Sequence, residues 1–169
     1  MTRFSLILAL LMTAAGATLA AQPATLDHVK HFVRTSLNQY AAREARNVHI
    51  PRANNGEFAL RARINGVKTP MVIDTGATSV VLTYETARAA GLPLDLATYD
   101  VDVETAGGHV RAARVTLDRL AIGKLVELSV PALVVPRGKL KTNLLGMSFL
   151  NRLESWEVSP DKLILRGYP

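Results

Sequence analysis

The dipeptide Asn65-Gly66 constrains the fold of this chain more than any other short segment. Residues 58–64 before it alternate apolar side chains with arginines, a pattern typical of a half-buried β-strand. Both residues of an Asn-Gly pair tolerate the positive φ angles of a two-residue hairpin turn. The sequence therefore predicts a β-hairpin whose return strand, residues 67–73, ends at Asp74.

After this hairpin, the sequence pattern predicts mainly short strands separated by turns. Predicted strands cover residues 80–82, 100–104 and 110–117, one or two segments within 125–135, and a hairpin over 156–166. Thr83 predicts the cap of a helix over 84–90, and a second short helix is expected after Gly146. Many short strands with little helix favour an all-β barrel or sandwich.

The first 21 residues have the order of a secretory signal peptide. Arg3 is followed by an apolar stretch and then by small residues, and Ala15-Gly16-Ala17 matches the usual cleavage pattern. We therefore expect an exported, periplasmic protein. If the segment were retained, residues 4–21 would be at the short end for a membrane anchor, so a membrane association is expected only in that case.

A helix is predicted between the signal segment and the strands. Its apolar residues recur three or four positions apart over residues 24–46, which is typical of an amphipathic helix. A cluster of Pro, Asn and Gly over residues 50–58 then indicates a turn and a domain boundary. The expected organisation is a signal peptide or anchor at 1–21, a helical spacer or pro-like segment at 22–52, and one folded domain at 53–169.

Composition and motifs argue against several function classes. Lys and Arg outnumber Asp and Glu by 20 to 14, but the cations are scattered and aromatic residues are only 5%, so we expect no nucleic-acid partner. The glycine motifs of nucleotide-binding proteins are absent. His28 and His31 lie three residues apart on the predicted helix without a third ligand nearby, so we expect no metal and no other cofactor.

Asp74 is the strongest candidate for chemistry, because a carboxylate inside an apolar run is costly unless it has partners. The tripeptide Asp74-Thr75-Gly76 alone is short enough to occur by chance. Its position after a buried strand, in a tight turn that Gly76 permits, offers backbone N–H groups to hold the carboxylate and admits little water. By contrast, Ser148 lacks the second glycine of a nucleophile elbow, and no acid or His is placed to complete a triad.

Three segments, in order, carry a resemblance to a known family: "VIDTGATSVVLT", the glycine pair at 107–108, and "NLLGMSFL". They resemble the landmarks of retroviral-type (retropepsin-like) aspartic proteases, and in particular the single-domain bacterial branch, over about residues 57–166. The resemblance implies an all-β, single-lobe closed barrel or sandwich. One short helix should follow the hydrophobic-hydrophobic-Gly motif, and the amphipathic helix should precede the barrel.

The resemblance also implies roles for individual residues. In this family the Asp-Thr-Gly loops of two lobes face each other, and this chain has one such loop, so it implies a homodimer. Asp74 would be catalytic, and Thr75 would brace the opposite loop. The active-site loop would comprise Thr75, Gly76, Ala77 and Thr78; the flap over the substrate Gly107, Gly108 and His109; and the support beneath the loop Leu144, Leu145 and Gly146.

The sequence departs from the viral pattern at two positions. An acid usually follows Asp-Thr-Gly-Ala and an arginine usually follows the hydrophobic-hydrophobic-Gly motif, but here these residues are Thr78 and Met147. Substrate contacts and dimer strength are therefore not carried over. The expected function is an exported aspartic endopeptidase that cleaves extended peptides. The alternatives are a catalytically silent peptide-binding or assembly module on the same fold, and an unrelated β-sandwich that binds a small ligand.

Overall fold

The structure, a computed structural model, describes residues 23–44, 46–105 and 108–168. The predicted signal segment at 1–21 and the predicted flap residue Gly107 lie outside these residues. The chain divides into two units, with the division between Glu44 and Ala45.

Helix α1, Pro23–Glu44, is the described part of the first unit. It confirms the predicted helix, with each end within two residues of the predicted bound. The apolar side chains that defined its predicted face are all exposed: Leu26, Val29, Phe32, Val33, Leu37 and Tyr40. None of the described helices combines the length and the apolar content that crossing a membrane requires.

The second unit is built from short strands and three short helical segments within its described residues. The strands are β1 Asn47–Pro51, β2 Ala59–Ile64, β3 Val67–Ile73, β4 Val80–Leu82, β5 Tyr99–Thr105, β6 Gly108–Ile122, β7 Leu125–Val134, β8 Asn143–Leu145, β9 Ser155–Val158 and β10 Lys162–Arg166. The helices are α2 Tyr84–Ala89, a 3₁₀ turn Leu94–Leu96, and α3 Met147–Leu150.

Seven of these strands form one sheet in the order β2-β3-β8-β4-β7-β6-β5. Strand β2 also pairs with the far end of β6, through Arg63 opposite Ala121 and Ile64 opposite Leu120. This second pairing closes the sheet into a barrel, with β5 attached outside it along the first half of β6. The smaller sheet, β1-β10-β9, is antiparallel. The predicted all-β closed barrel is therefore confirmed.

The main core fills the barrel. Its largest fully buried side chains include Ile64, Met71, Leu117, Leu120, Leu145 and Phe149. Burial of this apolar surface is the main favourable contribution to folding. The chain contains no cysteine that could add a disulfide. A second, smaller cluster of buried residues comprises Val81, Ala112, Leu133 and Val135.

Local signals in the sequence match the structure closely. Asn65 and Gly66 have φ angles of 48° and 89°, as the predicted hairpin turn requires. The Thr83 side chain accepts a hydrogen bond from the Thr86 backbone N–H, so it caps α2 as predicted. Residues 125–134 form one continuous strand, whereas the sequence analysis predicted either one or two strands within 125–135.

Strand β1 is an element that the sequence analysis missed. Its residues were assigned to the spacer, but Asn47–Pro51 pairs with β10 along its whole length. Ile50 is buried in this arrangement. The β-rich unit therefore begins before residue 53, the predicted start. Strand β1 belongs to this unit because it pairs with β10, which lies near the other end of the chain.

Candidate active site

Asp74 lies at the point where β3 leaves the barrel. The parallel pairing of β3 with β8 continues into the loop, since the Asp74 backbone N–H donates to the Leu145 carbonyl at 3.2 Å. The Ala77 N–H in turn donates to the Asp74 carbonyl at 3.2 Å and closes a tight turn. The position of Asp74 is thus fixed by backbone contacts on both sides.

The Asp74 carboxylate is oriented by the residue two positions further on. The Gly76 N–H donates to Asp74 Oδ1 at 2.9 Å. A Cβ at position 76 would lie 3.1 Å from that same oxygen, so glycine lets the backbone approach the carboxylate closely. Asp74 Oδ2 makes no hydrogen bond within the described chain. One oxygen is therefore held, and the other can bind a water or a substrate group.

Gly146 lies directly beneath the Asp74 loop and leaves no room for a side chain. A Cβ there would lie 2.2 Å from the Ser79 carbonyl oxygen and 2.5 Å from that of Ala77. The residues after Gly146 continue the contact, because the Met147 N–H donates to the Ala77 carbonyl at 2.8 Å and the Ser148 N–H donates to the Thr78 carbonyl at 3.0 Å. The structure therefore brings the Asp74 loop and the predicted support together.

The other predicted residues of these two segments differ in burial. Leu145 is fully buried in the barrel core, whereas Leu144 is partly buried in the smaller cluster. Thr75 and Thr78 are exposed in the single chain. Met147, which stands where the viral enzymes have arginine, packs against the main core.

Ser148 has a structural role that the sequence did not suggest. Its hydroxyl accepts a hydrogen bond from the Val80 N–H at 2.9 Å and donates to the Pro131 carbonyl at 3.2 Å. The hydroxyl thereby joins α3 to β4 and β7. Because both groups are backbone atoms, the hydroxyl is a link between elements and lacks the base that a nucleophilic serine requires.

Asn143 is a second residue that sequence reasoning missed. It is 4% exposed, and its side chain bridges two elements: Oδ1 accepts from the Thr83 N–H at 3.0 Å and Nδ2 donates to the Pro70 carbonyl at 2.9 Å. A buried amide requires such partners. The available signal was a single polar residue at the start of the apolar segment "NLLGMSFL", which a buried strand tolerates only when it is hydrogen-bonded.

The Asp74 loop forms one wall of a cleft of about 850 Å³, and β5 of the β5–β6 hairpin lies in another. The smaller apolar cluster forms the floor, through Val81, Leu133, Val135 and Leu144. Three charged residues line the cleft besides Asp74, namely Asp102, Glu104 and Arg114. A largely apolar cleft with a few polar groups is the usual form of a binding site.

The predicted flap corresponds to this hairpin. Strands β5 and β6 pair up to Thr105 opposite Gly108, with Glu104 opposite His109. Gly107 lies outside the described residues, and Gly108 has a φ of 102°, which glycine adopts readily. Residues 101–104 line the cleft, whereas Gly108 and His109 at the described tip do not. The hairpin thus meets the cleft through its first strand.

The described residues offer no cluster of three or more His, Cys, Asp or Glu side chains that could hold a metal ion. His28 and His31 are both exposed on α1.

Comparison with known proteins supports this fold. Residues 60–152 match the family described as "gag-polyprotein putative aspartyl protease". A crystal structure of a retropepsin-like aspartic protease from Rickettsia conorii superposes with a TM-score of 0.65 and 36% sequence identity, and covers 72% of this chain and 90% of that one. The fold is that of a retropepsin-like aspartic protease. The chain belongs to the gag-polyprotein aspartyl protease family.

Two curated relatives extend the comparison. A protein of Sinorhizobium sp., named as an uncharacterized protein in the cobV 5′ region, is 41% identical over 112 residues, which cover 66% of this chain and 48% of that protein. An uncharacterized protein of Rickettsia prowazekii (strain Madrid E) is 35% identical over 122 residues, which cover 72% and 52%. The matches thus span about half the length of these relatives.

Proposed function

We propose that this protein is an exported aspartic endopeptidase that hydrolyses peptide bonds as a homodimer, with one Asp74 from each subunit. The observation that carries the proposal is the state of the Asp74 carboxylate. One of its oxygens is held by the Gly76 N–H, the other has no partner within the described chain, and the side chain lines a cleft of about 850 Å³. Membership of an aspartyl protease family supports the same chemistry.

The proposed homodimer is supported by the catalytic chemistry and by the exposure of the Asp74 loop in one chain. Hydrolysis by carboxylates alone needs one group to act as base and another to act as acid. The sequence contains one Asp-Thr-Gly loop, and in the single chain Thr75 and Gly76 beside the catalytic residue are exposed. A two-fold axis through the cleft would bring two Asp74 side chains together and cover these residues.

In the proposed reaction, the two Asp74 carboxyl groups share one proton, because two adjacent carboxylates cannot both ionise cheaply. The ionised carboxylate takes a proton from a bound water, whose oxygen attacks the peptide carbonyl carbon. The protonated carboxyl gives its proton to the carbonyl oxygen, and a tetrahedral intermediate forms. Transfer of a proton to the amide nitrogen then releases the amine and the new carboxylic acid.

The proposed substrate is a peptide in an extended conformation. Strand β5 ends the larger sheet, and its outer edge pairs with no other described strand. An extended peptide can add to such an edge through its backbone and place alternate side chains on the cleft floor. The apolar floor favours apolar side chains next to the cleaved bond.

Export is a further part of the proposal. It is supported by the order of charge, apolar stretch and small residues within positions 1–21. The proposed location is the periplasm, or its membrane face if the segment is retained.

Mixed dimers test the proposal. The active protein is incubated with increasing amounts of Asp74→Asn, and the cleavage rate is followed at constant wild-type concentration. With equal amounts, random exchange leaves about one quarter of the dimers with two wild-type subunits. Activity per wild-type subunit should therefore fall to about one half. Arg61→Gln, an exposed position on β2 outside the cleft, serves as the matched partner; because it keeps Asp74, an equal amount should raise the rate about twofold.

Two results would count against the proposal. Activity that Asp74→Asn does not reduce would mean that each chain works alone. No cleavage by a folded, dimeric wild-type sample at any pH would favour the alternative of a peptide-binding or assembly module.

A further inference from the structure

A second cleft, of about 660 Å³, lies next to the active-site cleft. Its walls come from residues 91–97, which follow α2, and from the middle of β6 and β7. Three residues line both clefts: Ser79, Arg114 and Leu133. Because Ser79 belongs to the loop that carries Asp74, the second cleft begins where the catalytic loop ends.

The second cleft has an exposed apolar side chain at its margin. Leu96 is 88% exposed, the largest fraction among the large apolar side chains of the described residues. It lines the cleft together with Leu92, Pro93 and Ala97. Apolar surface gathered at the mouth of a cleft is typical of a binding surface, because burying it on a ligand is favourable.

Arg114 lies where the two clefts meet. It is exposed, and its guanidinium has no ion-pair or hydrogen-bond partner within the described chain. Arg111 on the same strand differs, since its Nε lies 3.6 Å from Asp102 Oδ1. A guanidinium group matches the geometry of a carboxylate, so an unpaired arginine in a binding cleft favours an acidic ligand group.

Among the described residues that line the second cleft, Arg114 is the only cation, and the other polar side chains are Asn65, Ser79, Thr116 and Asp118. Asn65, which also lines it, is already used: its side chain donates to the Ala90 carbonyl and accepts from the Arg119 N–H. Asp118 is an acid and would repel an acidic group. Arg114 is thus placed to select among substrates by charge.

We propose that the second cleft is a distal subsite, which binds the part of an extended substrate that leaves the active-site cleft past Ser79, and that Arg114 there binds an acidic side chain of the substrate. An extended chain advances about 3.3 Å per residue, so a few residues beyond the cleaved bond suffice to enter it. The proposal rests on the proposed function for the identity of the ligand, a peptide. It adds a length requirement and a charge preference.

Binding to Asp74→Asn tests the subsite without turnover. The probes are fluorescein-labelled peptides with one shared six-residue apolar core. One probe is the core alone; others carry four more residues at the N-terminal or C-terminal end, with Glu, Gln or Lys at the position next to the core. Fluorescence anisotropy gives the Kd of each, and kcat/KM of the wild-type protein is measured for the same set.

Extension at one end should tighten binding about tenfold, since Leu96 and its neighbours then bury apolar surface. The peptide with Glu should bind about two- to fivefold more tightly than the one with Gln, as expected for a partly exposed ion pair. Arg114→Gln should remove this preference for Glu over Gln, whatever its effect on the core peptide, because Arg114 also lines the active-site cleft. Leu96→Ser should remove the gain from extension. Arg61→Gln and Leu128→Ser, exposed positions that line neither cleft, should change none of these values.

Equal affinity for core and extended peptides, including no measurable binding of either, would overturn the distal subsite. So would a Glu preference that survives in Arg114→Gln. Cleavage that requires Asp74 but ignores length and charge would overturn the subsite and leave the proposed function standing. Binding that depends on peptide length and on Arg114, without any cleavage, would support the subsite and overturn the proposed function.

Discussion

The two sides of the active-site cleft differ in how firmly the surrounding structure fixes them. On the Asp74 side, backbone hydrogen bonds join Asp74 to β8 and join Ala77 and Thr78 to α3. Gly146 fits beneath this loop without space for a methyl group. On the hairpin side, β5 pairs with β6 alone among the described strands, and Asp102, Glu104 and His109 are exposed.

This difference separates two tasks. A carboxylate that activates water must be held in position to a fraction of an ångström, which requires a loop fixed by many contacts. A wall that receives different side chains benefits from an edge strand that can shift, and local opening is easiest where buried contacts are few. We infer that position 74 and its support determine chemistry, and that the hairpin side determines which peptides bind.

The strongest test of this comparison is the pair Gly146→Ala and Gly76→Ala. Gly146→Ala should lower the free energy of unfolding by more than about 3 kcal/mol, or prevent folding, because the new Cβ meets two backbone carbonyls. Gly76→Ala should cost much less, since its Cβ meets one side-chain oxygen. Urea denaturation at a fixed protein concentration measures both. Equal costs would contradict the account of the loop.

Asn143→Ala should have the next largest effect on the Asp74 side. It leaves the Thr83 N–H and the Pro70 carbonyl without their partners, so we expect a loss of about 3 kcal/mol in the free energy of unfolding. Asn54→Ala, at an exposed turn position, is the matched control and should change stability by less than about 0.5 kcal/mol. A loss at position 143 no larger than the control would show that the buried bridge does not hold these elements together.

His109→Ala on the hairpin side should have the smallest effect. The side chain is exposed, so the free energy of unfolding should change by less than about 0.5 kcal/mol. Thermal and urea unfolding would measure this. A loss of about 2 kcal/mol or more would mean that the hairpin is as strongly constrained as the Asp74 loop, and would remove the distinction between the two sides.

The features that the sequence predicts correctly depend on residues that are close together in the chain. The hairpin at Asn65-Gly66 and the cap at Thr83 depend on φ angles and on one hydrogen bond within four residues, so the local pattern identifies them. Strand β1 was missed because its partner β10 lies at the other end of the chain, and the Pro, Asn and Gly that follow it resemble a turn region.

The same distinction between local patterns and long-range contacts applies to the candidate active site. The motifs identify Asp74 and Gly146, and the structure brings their two segments into contact. The links made by Asn143 and Ser148 were not predicted, because their partners Pro70 and Pro131 are brought close only by the closed barrel. The position of Arg114 between two clefts is likewise a property of the fold.

The most direct test of the central claim is a peptide-library digest by the purified protein from about pH 3.5 to pH 8, with Asp74→Asn measured alongside and its fold checked by circular dichroism. The account predicts cleavage at defined sites by the wild-type protein and a loss of about 10³-fold or more in the variant. Cleavage that persists in Asp74→Asn would contradict it.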